Sequence, residues 1–117
     1  MRSELELLAN CCIEAAELPL SYRTLPPEQT LAGTPRVGSA RLGQMGSRTI
    51  GVWELTPSIS TDIEVDEFFI VLSGRATVAF ADGRPPLELK PGVLGRLEAG
   101  TATRWIVTET LRKVYIA

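Results

Sequence analysis

The chain contains no histidine among its 117 residues. That absence removes the commonest metal ligand and the commonest general base together. It also excludes a Ser-His-Asp or Cys-His triad. Cysteine is nearly as scarce: Cys11 and Cys12 are the only two, and they are adjacent. Neighbouring cysteines rarely bridge each other, because the ring they close is strained. The C-x-x-C spacing of redox and metal motifs is missing as well. Two free thiols are therefore expected, as in a reducing, cytoplasmic compartment. No apolar run approaches the roughly 18 residues of a membrane span. Glu4 and Glu6 stand where a signal peptide would be basic. The 12 basic and 14 acidic residues are dispersed, with a net charge of -2. Without a basic cluster, neither nucleic acid nor an anionic membrane is expected as a partner.

What is present fits one soluble domain. The length suits a single core that needs no staples, and 44% hydrophobic with 22% charged residues is ordinary for a globular chain. Residues 1–25 read as an N-terminal arm. Within it, 1–18 suggest a short helix, with Ser3 as N-cap, Glu6 closing a capping box, and Leu5, Leu8, Cys12 and Ala16 on one face. Residues 19–48 hold many prolines and glycines and read as irregular chain with one short strand near 39–44. From residue 49 the pattern is β. Strands are expected over 49–56, 67–72, 75–80, 86–89, 94–97, 103–107 and 111–116. Turn signals separate them at Pro57, Ser73-Gly74, Asp82-Gly83, Pro91-Gly92 and Ala99-Gly100. Many short, regularly spaced strands argue for an all-β sandwich or barrel.

The strand Phe68-Phe69-Ile70-Val71-Leu72 is apolar on both parities. One face suits a barrel interior, and the other requires a second cover. A homodimer is expected on this ground.

The order of these elements resembles the cupin family. Glu67, followed after six residues by Gly74, resembles the end of the first cupin motif, and Pro91-Gly92 with Ala99-Gly100 resembles the turns of the second. Closer still is the branch containing the ureidoglycine aminohydrolase cupin domain and the ethanolamine-utilisation cupin. That branch is matched by Gly51-Val52-Trp53-Glu54, Asp66-Glu67-Phe68, Ser73-Gly74, Pro91-Gly92, Ala99-Gly100, Trp105 and Arg112-Lys113-Val114-Tyr115. The resemblance covers 26–117 and implies one cupin domain there. The implied fold is a double-stranded β-helix, the RmlC-like jelly roll.

The departures fall on the chemistry. The two histidine slots of the first motif fall near Ser60 and Asp62, and that of the second near Thr103. Only Glu67 keeps a standard ligand type. Transition metals need imidazole or thiolate donors at fixed geometry. Glu67, Asp62 and two hydroxyls would at most hold a hard cation weakly. No metal and no cofactor are expected, and the metal-dependent aminohydrolase chemistry of the branch does not carry over.

Glu67 shares strand parity with Phe69 and Val71 and should face the interior. It reads either as a ligand-facing carboxylate or as a buried acid bridged to Arg75, Arg96, Arg104 or Lys113. Trp105 shares parity with Thr103 and Val107, so it reads either as a pocket wall or as core, and Trp53 has the same two readings. Lys113 and Tyr115 alternate together, and read either as pocket residues, since the resemblance implies that this strand can contribute to the pocket, or as a solvated Lys and a partly buried Tyr. The acidic run Asp62, Glu64, Asp66, Glu67 is a solvated loop or an acidic barrel mouth favouring cations. The expected function is metal-independent binding of a small metabolite by Trp53, Glu67, Phe69, Thr103 and Trp105. The alternatives are an enzyme acting on a small nitrogen-containing or acidic metabolite, with Glu67, Lys113 or Tyr115 as acid or base, and a degenerate dimeric scaffold.

Overall fold

The computed structural model describes residues 6–117. They form nine strands: β1 (Ser21–Thr24), β2 (Thr30–Ala32), β3 (Arg36–Met45), β4 (Arg48–Leu55), β5 (Ser58–Ile63), β6 (Glu67–Phe80), β7 (Leu87–Leu89), β8 (Leu94–Leu97) and β9 (Ala102–Ile116). Every pairing is antiparallel, and the sheet curls upon itself. The path runs β1-β3-β4-β9-β5-β2, with β6 pairing β7, β8 and β9. The chain is thus an all-β jelly roll.

Two long strands organise it. The first half of β9 pairs with β5 and with the end of β6, while its second half pairs with β4 and the start of β6. Both expected strand pairs, 67–72 with 75–80 and 103–107 with 111–116, are therefore single strands. Register shifts between Val71 and Ala76 absorb the bend between the halves. Gly74 sits at that bend with φ +92, where a Cβ would run into the Thr110 carbonyl. Only glycine tolerates both the dihedral and the approach.

Alternation places Phe69, Val71, Ala76 and Val78 of β6 inside, against Leu55, Trp105, Val107 and Leu111. Phe68 and Ile70 point outward and are 48% and 41% exposed. Their pairs Ile116 and Leu94 are exposed too, so these four make one apolar stripe.

Three expectations are corrected here. Residues 6–14 are not helical, and a single 3-10 turn at Ala15–Glu17 is all the helix the arm shows. Asn10, at φ 61, interrupts any continuous turn. Ser3 lies outside the described residues. The arm instead crosses the outer face of the sheet. Arg112 Nη1 donates to the carbonyls of Ala15 and Leu18, at 3.0 and 2.8 Å. Docking on the Arg112 side chain outweighs a marginal helix of low intrinsic stability. Second, residues 19–48 hold three strands rather than one. Their glycines and prolines mark ends and bulges, as in the register shift between Arg41 and Gly43. Third, the acidic run does not begin in a loop: β5 carries Asp62 in register with Thr103.

Candidate functional site

Strand β5 and the turn after it set the site. Ser60, Asp62 and Glu64 alternate on one side of the chain, towards the barrel interior. Opposite them on β9 stand Trp105, paired with Ser60, and Thr103, paired with Asp62. Glu64 lies just past the strand end and folds back inward, leaving it only 7% exposed. Its backbone is tied to the facing turn: Glu64 N–H donates to the Thr101 carbonyl, and Gly100 N–H donates to the Glu64 carbonyl. One carboxylate oxygen, Oε2, accepts from the Thr103 hydroxyl at 2.5 Å and from Trp105 Nε1 at 2.9 Å. A buried carboxylate needs such donors.

Glu67 begins β6 on the same interior side. Its Oε2 meets Lys113 Nζ at 2.6 Å. Of the four partners weighed, the structure selects Lys113; Arg75 pairs with Glu109 at the surface, and Arg96 lies over Phe68 outside. Lys113 is held further by rings. Its Nζ stands 4.5 Å from the Trp53 centroid and 4.8 Å from those of Phe69 and Trp105. The Glu67 carboxylate and the three ring faces thus enclose the ammonium, an ion pair with cation–π contacts around it.

Between these groups is a cavity of about 240 Å³. Trp53, Trp105, Asp62, Glu64, Glu67 and Lys113 face it, with Arg23 of β1 at its edge. Asp62 is at the exposed rim. Partial desolvation raises its pKa above the ordinary value, and the neighbouring Glu64 charge adds to the rise. A second, shallower cavity of about 320 Å³ adjoins at Gln29, Thr61 and Asp62.

Of the five expected pocket residues, Trp53, Glu67 and Trp105 line the cavity. Thr103 sits behind it, positioning Glu64, and Phe69 is core beneath Lys113. Tyr115 does not line it. Burial chiefly, and then the Glu67 charge, push its phenol above the ordinary value, which keeps it protonated. Glu64, read only as part of the acidic run, was not among the expected pocket residues. The alternation Ser60-x-Asp62-x-Glu64 was its only signal.

The residues present do not fit the metal of the wider fold. The slots hold Ser60, Asp62 and Thr103, and Lys113 already neutralises Glu67. Among the described residues, no three Asp, Glu or Cys side chains are grouped to hold an ion.

Comparison with known proteins places this geometry. No curated protein matches the chain. Among solved structures, a protein of unknown function from Rhizobium leguminosarum is 26% identical, with a TM-score of 0.61 over 68% of this chain and 78% of that one. One of unknown function from Pseudomonas syringae pv. tomato is 22% identical with a TM-score of 0.75, over 86% of this chain; the match spans only 45% of that longer chain. The EutQ protein of Clostridium difficile is 17% identical with a TM-score of 0.60, over 70% of this chain and 67% of that one. The family model described as the EutQ-like cupin domain matches residues 42–115. With that span of β3 to β9 accounted for, the chain belongs to the EutQ-like cupin domain family.

Proposed function

We propose that this protein is a metal-independent cupin that binds a small metabolite inside its barrel. The supporting observation is the open polar cavity around Glu64 and Glu67. A scaffold would have filled that volume with side chains, as the rest of the barrel does around Val71 and Val78. Aromatic walls with a few convergent polar groups are the usual lining of a ligand site. The enzyme reading is weaker, because Glu67 and three rings already engage Lys113, and Tyr115 does not line the cavity.

A thermal-shift screen of small metabolites on metal-stripped protein tests the proposal. A ligand at about ten times its Kd stabilises by roughly 1.4 kcal/mol. In a domain of this size that is about 5–10 °C in Tm. If no compound raises Tm, the binding reading falls and the scaffold reading takes its place.

The working form is proposed to be a cytoplasmic homodimer. The stripe of Phe68, Ile70, Leu94 and Ile116 supports the dimer, since the arm covers the neighbouring part of the same face and leaves these side chains open. Sedimentation of wild type and Phe68→Asp tests it: a dimer that the substitution dissociates is expected, and a wild-type monomer contradicts it.

A further inference from the structure

We infer that the ligand of the barrel cavity is a small organic cation, an ammonium, amidinium or guanidinium group held by the free oxygens of Glu64 and Asp62 beside Trp105. The inference rests on the metabolite-binding reading above and names its ligand class.

Unused acceptors carry the argument. Glu64 is more than nine-tenths buried, yet only Oε2 has hydrogen-bond donors. Among the described residues no sealed side-chain polar atom lacks a partner. Oε1 of Glu64 is therefore not sealed, and no donor among the described residues meets it. Asp62 has the same surplus: its Oδ1 accepts from the Ile63 N–H, and its Oδ2 has no donor among the described residues. Glu67 likewise uses only Oε2 there. Three carboxylates that line one open volume thus each keep an acceptor oxygen unused by the described residues.

The charges point the same way. The cavity is lined by three carboxylates, Asp62, Glu64 and Glu67, and by two cations, Lys113 and Arg23. Three negative less two positive leaves one negative charge. Lys113 cannot turn to serve an anionic ligand, because Glu67 and three ring faces enclose its ammonium. Arg23 is an exposed rim residue of edge strand β1. An anion in the cavity would meet three carboxylates, with Arg23 at the exposed rim as its cationic partner. A cation would supply the donors that Glu64 and Asp62 lack, and a charge-assisted pair of this kind is the strong sort.

Three ring compounds of nearly one size, benzamidinium, benzamide and benzoate, test this by titration calorimetry on metal-stripped protein. Benzamidinium is expected to bind at least about tenfold more tightly than the other two. Glu64→Gln should reduce benzamidinium binding by roughly tenfold and leave benzamide unchanged. Asp62→Asn, at the exposed rim, gives the same direction with a smaller loss and no risk to folding. Benzamide or benzoate binding as well as benzamidinium would overturn the cation class and leave the metabolite reading standing. Binding by none of the three would overturn the cation class too, and a metabolite screen that is also blank removes the broader reading with it.

Discussion

Arg112 and Lys113 are consecutive residues of β9, and alternation sends them to opposite sides of the sheet. Both are buried, and each meets one carboxylate: Arg112 meets Glu54 at 2.8 Å and Lys113 meets Glu67 at 2.6 Å. The surroundings differ. Outside, the cluster is closed. Arg112 also donates to the Ala15 and Leu18 carbonyls, and the second oxygen of Glu54 takes the Tyr22 hydroxyl. Burial, and then Glu54, raise the Tyr22 pKa, so the phenol remains a donor. Inside, Glu67, Glu64 and Asp62 each keep an oxygen that no group among the described residues uses. A buried ion pair by itself therefore says little about function. Surplus acceptors facing an open volume are what distinguish a site from a clamp.

The largest effect expected is on the closed side. Arg112→Met strands Glu54 and two arm carbonyls at once, and should cost about 3–5 kcal/mol in denaturant unfolding. Protease should then cut the arm before the barrel. A loss below about 1 kcal/mol would mean that the clamp does not hold the arm.

On the open side the same kind of change should cost less. Lys113→Met strands only Glu67, where Arg112→Met strands three acceptors, so about 1–3 kcal/mol is expected. The double variant Lys113→Met with Glu67→Leu should recover most of that loss. If Lys113→Met cost as much as Arg112→Met, the interior would be a sealed core and the contrast would fail.

Thr103→Val removes one of the two donors on Glu64 at nearly constant shape, for about 1 kcal/mol. It should also loosen any ligand that Glu64 holds, read as a smaller ligand-induced rise in Tm.

The smallest effect concerns pH. Asp62 has a raised pKa, so above the ordinary 3.8 the native state keeps a proton that the unfolded chain has lost. Stability therefore falls as pH rises from that value through the raised one. Asp62→Asn should abolish this decline. The effect is small because Asp62 is at the solvated rim. An unchanged pH profile would place the decline elsewhere, with Glu64 and Glu67 the nearest carboxylates.

Much of the fold was legible because turns are written locally. Asp82-Gly83, Pro91-Gly92 and Ala99-Gly100 sit where strands end, and β8 falls on the expected residues. The arm, β2 and β5 were not legible, since their pairing partners are remote in sequence and their own periodicity is weak. In the site, parity turns Glu67 and Trp105 inward, as found, while Lys113, also read as a solvated residue, is buried against Glu67. Glu64 escaped because its neighbours Asp62 and Asp66 are exposed, and an acidic run of that composition resembles a solvated loop. Only the donors Thr103 and Trp105, about 40 residues downstream, make its burial tolerable. No local pattern encodes them.

The most direct test takes one ligand that stabilises the metal-stripped wild type and measures its Tm rise in Glu64→Gln and in Arg112→Met. The account predicts that Glu64→Gln loses most of the rise with little change in its own stability, while Arg112→Met melts earlier yet keeps the rise. A rise kept in Glu64→Gln and lost in Arg112→Met would contradict it.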